Sequence, residues 1–215
     1  MEIYNSEEEQ LEAIKKWWKE NGRAVVTGVV LGVILIMGWN FWRERQLRIS
    51  QQASALFQQT LLAMNEKKSE SALQLSERLA KEYGDSAYGM YGRLLLAKLK
   101  SERADMLGAK QALEGVLSSK ADASYKHIAR LRLIELLLAN GEFDAARQRI
   151  EEAEKSGGLG TYQSQYEELR GDALAALGSA DAAREAYRKA KGSGAFSAVL
   201  DMKIDDLGVS EVAVK

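Results

Sequence analysis

The pattern of hydrophobic and polar positions changes once along the chain, near residue 43. Between Ala24 and Trp42 the sequence reads AVVTGVVLGVILIMGWNFW, in which no residue is charged and only Thr27 and Asn40 are polar. A helix that crosses a bilayer needs about 20 mostly apolar residues. A buried helix of a soluble protein is rarely apolar on every side over such a length. The pattern therefore predicts one membrane-spanning helix over residues 24–42.

The tryptophan positions support this prediction, because all four tryptophans flank the apolar run or close it. Trp17 and Trp18 precede the run, and Trp39 and Trp42 end it. A helix rises about 31 Å between Trp18 and Trp39, close to the hydrocarbon thickness of roughly 30 Å. Indole rings prefer the two interfaces of a bilayer, so these residues mark both edges of the span and make the lipid bilayer a partner.

A cleaved signal peptide is the alternative, since its apolar core also lies near an N-terminus. Its apolar run would be shorter, and small residues would mark the cleavage site, whereas WNFWRER follows here. We therefore expect an uncleaved signal anchor. Such an anchor usually keeps its short basic end in the cytoplasm. The sequence then favours residues 1–23 as a short cytoplasmic amphipathic segment and residues 43–215 as a periplasmic domain.

Small residues recur every four positions within the predicted span, at Ala24, Gly28 and Gly32. This spacing places them on one helix face, where another membrane helix can approach closely. We expect a partner helix to contact these three residues. The alternative is chance spacing, because glycine is frequent in membrane helices.

Beyond the span, apolar positions recur after 37 residues. Four alanines coincide in this frame: Ala72, Ala109, Ala146 and Ala183. Larger residues align four positions later, and a further set aligns seven positions later. The pattern predicts helical hairpins, in which the alanine lets the second helix lie close to the first. The residues expected to pack the repeats are Ala109, Ala146, Ala183, Tyr187 and Ala190.

This repeat resembles the tetratricopeptide repeat, most clearly in LRGDALAALGSADAAREAYRKA, where Gly171, Gly178 and Tyr187 stand at that motif's offsets. The preceding unit matches nearly as well, but Ile134 occupies a position where a small residue is usual. The chain contains no proline, which fits uninterrupted helices. The predicted fold is all-α, with a single N-terminal transmembrane helix, a tetratricopeptide-like α-solenoid of about four helical hairpins, and a C-terminal capping helix within Phe196–Leu207.

Charge is balanced beyond the span. When the four basic and six acidic residues before Arg43 are set aside, the totals of 30 and 31 leave 26 basic and 25 acidic residues. Nucleic-acid binders usually carry a basic stripe, whereas here both signs are interspersed along helix faces. We therefore expect no nucleic-acid partner. The absence of cysteine excludes disulfides and thiolate metal sites.

Residues that could carry chemistry are few. His127 is the only histidine, and without cysteine it cannot complete the usual nucleophilic or zinc arrangement. The neighbouring carboxylates Glu167 and Glu168 are interpreted as solvated charge. The glycine-rich stretch at residues 157–160 lacks the lysine and the strand of a phosphate loop, so it is interpreted as a turn. The sequence predicts a non-enzyme with no cofactor and no metal site.

Function is then expected in binding, because helical solenoids offer a groove to peptides and protein segments. The repeat register predicts which positions of the first helix of each hairpin face this groove. Some of these positions are apolar and would contact apolar side chains of a ligand, while others are charged and would select among ligands. The candidates are Tyr91, Leu94, Lys98, Leu131, Glu135, Leu138, Glu168 and Asp172.

The whole-chain arrangement resembles the YfgM family of ancillary SecYEG translocon subunits. The resemblance rests on MEIY at the start, ENG at residues 20–22, GVVLGV and GWNFW in the span, LRGDALAALG in the repeats, and MKIDDL near the end. It implies a single-pass protein of the bacterial inner membrane with its N-terminus in the cytoplasm and a periplasmic repeat domain. It also implies association with SecYEG and the chaperone PpiD, and a role in passing newly translocated client proteins to periplasmic chaperones.

Two alternatives for function stay open. One is a scaffold subunit of another bacterial envelope complex. The other is an envelope-stress regulator, since the resemblance also implies a possible cytoplasmic response regulator as a partner of residues 1–23.

Overall fold

In the computed structural model, which describes residues 7–194 and 197–207, the protein is helical, with no strand in those residues. A short 3-10 helix at Gly160–Tyr162 separates the sixth and seventh α-helices. The α-helices are α1 (Glu7–Asn65), α2 (Ser69–Glu82), α3 (Ala87–Glu102), α4 (Met106–Leu117), α5 (Ala123–Ala139), α6 (Phe143–Lys155), α7 (Gln163–Ala176), α8 (Ala180–Gly192) and α9 (Ala198–Asp206).

The chain divides into two compact units between Gln52 and Ala53. The first unit contains the long N-terminal part of α1. Among the described helices, only α1 is long and apolar enough to cross a membrane, and its apolar window has no buried residue. Within it the Thr27 hydroxyl donates a hydrogen bond of 2.8 Å to the Arg23 carbonyl, so this polar group is satisfied inside the helix. These features fit a membrane-spanning helix.

The second unit is built from helical hairpins. The end of α1 pairs with α2, and α3–α4, α5–α6 and α7–α8 form the next three hairpins. The central hydrophobic cluster extends from Met90 on α3 to Leu169 on α7, and a smaller cluster joins α7 and α8 to α9. The predicted all-α fold, with four hairpins and a capping helix, is confirmed. Phe196, expected in the capping helix, lies outside the described residues.

One turn geometry closes every hairpin. Its central residue has a left-handed backbone, with φ of 57° at Lys67, 61° at Ala104, 76° at Gly141 and 77° at Gly178. These positions recur every 37 residues, which is the period of the sequence repeat. The next residue donates its N–H to a carbonyl five positions back, which satisfies a helix-end carbonyl. These bonds are Lys68 to Ala63, Asp105 to Lys100, Glu142 to Leu137 and Ser179 to Leu174, each 2.9 Å.

Where the two helices of a hairpin touch, the sizes of the two facing residues are matched. In the last hairpin Gly171 lies under the ring of Tyr187, and a Cβ added at Gly171 would overlap that ring. In the preceding hairpin Ile134 and Ile150 stand at the same register positions, and both are fully buried. A small residue is therefore needed only where the facing residue is large. This explains why Ile134 is compatible with the repeat although it departs from the motif.

Candidate protein-binding groove

Two neighbouring cavities run along the first helices of successive hairpins. The first has a volume of about 670 Å³ and lies between α3 and α5. The second has a volume of about 510 Å³ and lies between α5, α7 and α9. Both are lined by Ile128, Arg132 and Glu135, so they join into one groove across the second unit. We call this feature the groove.

The first cavity has a mainly apolar wall. Its apolar lining comes from successive turns of α3 and α5, with one contribution from α4. Charged side chains, including Lys98 and Glu102, stand at its rim, where their ion pair measures 3.8 Å. Such a wall can bury large apolar side chains, while the rim holds polar groups of a bound segment. The apolar lining residues are Leu94, Leu95, Ala97, Leu113, Ile128, Leu136 and Ala139.

The second cavity is more polar, because α7 and α9 bring charged groups together there. Lys203 on α9 lies 2.8 Å from both Glu168 and Asp172 on α7. Burial alone would lower the pKa of Lys203, but hydrogen bonds and charge attraction from these two carboxylates outweigh burial and raise it. In the shared wall Arg132 pairs with Glu135 at 2.6 Å. These five groups form two ion-paired sets, and they make the second cavity the polar end of the groove.

Tyr187 contacts two residues of this polar end, Asp172 and Lys203. Its hydroxyl donates a hydrogen bond of 2.8 Å to Asp172, and Lys203 Nζ lies 5.7 Å from its ring centroid. Burial and then the adjacent Asp172 carboxylate raise the pKa of Tyr187, so its hydroxyl stays a donor. The hydrogen bond fixes the position of Asp172, and with it the position of Lys203 on the capping helix.

An aromatic strip lies along the N-terminal ends of the same first helices. Phe57 lies 5.6 Å from Tyr88 and 5.8 Å from Tyr91, and Tyr91 meets the Tyr125 ring edge-on at 5.4 Å. Of these four residues, Tyr91 is the most exposed, at 42%. Tyrosine offers rigid contact area together with a hydroxyl for hydrogen bonding. The strip is therefore a second candidate binding surface.

The sequence contained a signal for this strip. Tyr88, Tyr125 and Tyr162 stand at intervals of 37 residues, one per hairpin. Only Tyr91 was among the predicted groove residues. A comparison of aromatic positions in the repeat frame would have identified Tyr88 and Tyr125, but not Phe57, which aligns with Leu94.

His127 packs between two tyrosines of the next hairpin. Its ring stacks on Tyr162 with centroids 4.9 Å apart, and Nδ1 lies 3.1 Å from the hydroxyl of the fully buried Tyr166. Burial and then repulsion from Arg130 lower the pKa of His127. The ring therefore joins α5 to the start of α7 as a neutral packing group. No cluster of three or more His, Asp or Glu residues suited to a metal ion occurs in the described chain.

The structure places most of the predicted groove residues along one surface. Leu94 and Lys98 line the first cavity, Leu131, Glu168 and Asp172 line the second, and Glu135 lines both. Tyr91 belongs to the aromatic strip instead. Leu138 is half-buried and packs against the central cluster without lining either cavity.

The structure also locates the other predicted residues. Ala109, Ala146, Ala183 and Ala190 are fully buried, and Tyr187 is 3% exposed. In the span, Ala24 and Gly28 are exposed and Gly32 is half-buried. A Cβ added at Gly28 or Gly32 would meet no other atom within 4 Å. The small-residue stripe is thus an open face of α1.

Glu167 corrects one interpretation of the sequence. It was interpreted as solvated charge, but it is only 5% exposed. Its carboxylate lies 3.6 Å from Arg170, which also pairs with Glu154 at 2.5 Å. Adjacent carboxylates on a helix point in different directions, so Glu167 is turned inward while Glu168 reaches the groove. Glu167 therefore belongs to the packing between α6 and α7 and not to the groove.

A family model described as a tetratricopeptide repeat-like domain matches residues 15–209. The chain belongs to this family. The match covers the span as well as the hairpins, so the helical repeats and the anchor are parts of one recognised arrangement. Protein interaction is the role to which this repeat family points.

Curated relatives of this tetratricopeptide repeat-like protein confirm its resemblance to the YfgM family. An Escherichia coli K12 protein is 34% identical over 114 residues, which is 53% of this chain and 54% of the relative. A Haemophilus influenzae protein is 31% identical over 116 residues, or 54% and 56% of the two chains. Both are named ancillary SecYEG translocon subunits. The chain spans about half the length of the curated relatives it matches.

Solved structures show the same fold at low sequence identity. The MamA 41-end structure from Desulfovibrio magneticus RS-1 has a TM-score of 0.57 and is 14% identical, covering 72% of this chain and 82% of the other. The MamA MSR-1 C2 structure has a TM-score of 0.50 and is 13% identical, covering 73% and 84%. These similarities support the helical repeat fold of the tetratricopeptide repeat-like family.

Proposed function

We propose that this protein is a membrane-tethered adaptor at the SecYEG translocon, which binds partner proteins and helps pass newly translocated proteins to periplasmic chaperones such as PpiD. The groove shared by the two cavities is the observation that carries the proposal. The names of the curated relatives support a translocon-associated role. No group in the groove is placed as a nucleophile with its base, so the proposed role is binding rather than catalysis.

The groove suits segments that combine apolar and charged side chains. The wall formed by Leu94, Leu95 and Leu136 would take an apolar side chain, and Lys203 with its two carboxylate partners would exchange ion pairs with charged groups. Exposed ion pairs contribute little affinity, typically 0.2–1 kcal/mol each. The apolar cavity and the aromatic strip therefore supply most of the expected binding energy, and the charges select among ligands.

The anchor compensates for weak individual contacts. In the proposed arrangement residues 1–23 are cytoplasmic, residues 24–42 span the inner membrane, and residues 43–215 lie in the periplasm. Ala24, Gly28 and Gly32 would face a helix of the translocon or of PpiD. Tethering can raise the effective concentration of two binding sites to the millimolar range, so transient groove contacts suffice for handover.

Photo-crosslinking in intact cells tests the proposal. A photoreactive residue is introduced singly at Leu94, Lys98 or Gly28, with Leu107 as the matched control. Leu107 is 69% exposed and lies on α4 outside both cavities. We expect exported chains or chaperones at positions 94 and 98, translocon components or PpiD at position 28, and neither class at position 107.

The outcomes are distinct. Adducts to a different envelope complex from the groove and span positions would contradict the adaptor role and support a scaffold. Equal labelling at positions 94, 98 and 107 would show that the groove has no special part in binding. Changing Lys98→Ala should reduce the adducts formed at position 94, whereas Leu107→Ala should leave them unchanged.

A further inference from the structure

The first helix of the first hairpin has a face that nothing in the second unit covers. Residues 53–65 of α1 bury Ala53, Leu56 and Ala63 against α2 and α3. Four other residues of this segment are exposed and share one helix face by their spacing. We call this set the open face: Ala55, Gln58, Gln59 and Leu62.

The residues of the open face can be compared with those at equivalent positions in later repeats. Leu62 is 59% exposed, yet its counterparts one, two and three repeats later, Leu99, Leu136 and Ala173, are 5%, 8% and 0% exposed. Ala55 corresponds to Gly92, where an added Cβ would lie 2.8 Å from Leu79 of the preceding helix α2. The open face is therefore the continuation of the interface between hairpins, without a preceding helix to fill it.

The chemistry of the open face is unusual for the end of a solenoid. Terminal repeats normally carry a polar outer surface, and charged residues make up 28% of this chain. Between Arg48 and Glu66, however, no residue is charged. The face offers alanine, leucine and two glutamines. Glutamine is both a donor and an acceptor, so two copies of this face can form hydrogen bonds with each other without like-charge repulsion.

We propose that the open face is an interface between two copies of this chain, packed helix to helix around a two-fold axis. Each copy carries the proposed membrane anchor, so two copies would be confined to the same membrane. A stable interface usually buries about 800 Å² per partner, more than one short helix face provides. The membrane tether supplies the missing association by raising the effective concentration.

Single-cysteine crosslinking tests this interface directly, because the chain has no cysteine of its own. The full-length variants Leu62→Cys and Ala55→Cys are oxidised in native membrane vesicles and separated without reductant. Leu107→Cys is the matched control, since Leu107 is 69% exposed on α4. We expect at least about tenfold more disulfide-linked dimer at positions 62 and 55 than at position 107, given roughly millimolar tethered concentrations.

A second variant separates the interface from general proximity in the membrane. Leu62→Glu places two like charges in the centre of the interface and should abolish the dimer crosslinked through Ala55→Cys. Leu107→Glu should leave that dimer unchanged. Both side chains are exposed, so resistance to urea should match that of the parent protein in each variant.

Three results would overturn the proposal. Equal crosslinking at positions 62 and 107 would indicate random collision. Absence of dimer at positions 62 and 55 would indicate that the open face is unpaired. An adduct at position 62 that contains another protein, identified by mass spectrometry, would show that a different helix fills the face.

Discussion

The contact between Gly171 and Tyr187 gives the sharpest test of how the hairpins pack. Gly171→Ala adds one methyl group that would overlap Cδ1 and Cε1 of the Tyr187 ring and lie 2.8 Å from Cζ. The ring cannot easily move aside, because its hydroxyl is bonded to Asp172 and Lys203 lies against its face. The substitution therefore forces a shift of α7 relative to α8.

The expected magnitude is a balance of two effects. Replacing glycine by alanine inside a helix is favourable by about 1 kcal/mol. Overpacking a well-filled core costs typically 1–3 kcal/mol, and the fixed ring places this site at the upper end. We expect a net loss of about 2 kcal/mol in the free energy of unfolding of the C-terminal hairpin.

The assay is pulse proteolysis of the full-length protein in mild detergent across a urea gradient. Gly192→Ala is the matched control, since an added Cβ there meets nothing within 4 Å, and it should be neutral or stabilising. Adding Tyr187→Leu to Gly171→Ala should recover about 1–2 kcal/mol relative to additivity, because the double mutant removes the overlap. Equal midpoints for Gly171→Ala and Gly192→Ala would refute this account of the packing.

Further outcomes concern the turns, the histidine and the capping helix. Ala104 and Gly141 hold the same left-handed turn position, so Ala104→Gly should raise and Gly141→Ala should lower the unfolding free energy, each by about 1 kcal/mol, as urea midpoints will show. Burial and then a neighbouring arginine lower the pKa of His127 from 6.5. The unfolded chain therefore binds a proton at higher pH than the folded chain, and stability falls as the pH drops below 6.5. His127→Gln should flatten this part of the pH–stability profile, and an unchanged slope would contradict the assignment. Lys203→Met leaves two part-buried carboxylates without their cation and should cost about 1–2 kcal/mol in thermal or urea unfolding, whereas Lys203→Arg should cost less.

The hairpin architecture could be predicted from the sequence because small residues recur with the period of the hairpins. Ala72, Ala109, Ala146 and Ala183 each begin the tight contact between paired helices, and all four are fully buried. The first two hairpins look degenerate in sequence because Lys67 and Ala104 replace the turn glycine. Their backbone nevertheless adopts the same left-handed turn, since the helix-end hydrogen bonds determine it.

The groove could be predicted only in part. The register gives the helix face on which a side chain lies, but it does not show how far neighbouring helices cover that side chain. Leu94, Glu135 and Asp172 line the cavities as their register suggests. Leu138 lies on the same face of α5 as Glu135 by its spacing, yet it packs against the central cluster. Glu167 could not be predicted as buried, since its inward position depends on Arg170 and on the helix that supplies Glu154.

The hairpin arrangement also bears on how the chain acquires its structure. Most contacts between the described helices join neighbours in sequence or the first helices of adjacent hairpins, and α9 also reaches α7 through Lys203. Local contacts of this kind allow rapid folding that propagates from one repeat to the next. A hairpin can therefore pack on the one before it while later residues are still being synthesised. The capping helix α9 completes the polar end of the groove through Leu200 and Lys203. The polar end of the groove therefore forms only after the residues of α9 have been synthesised.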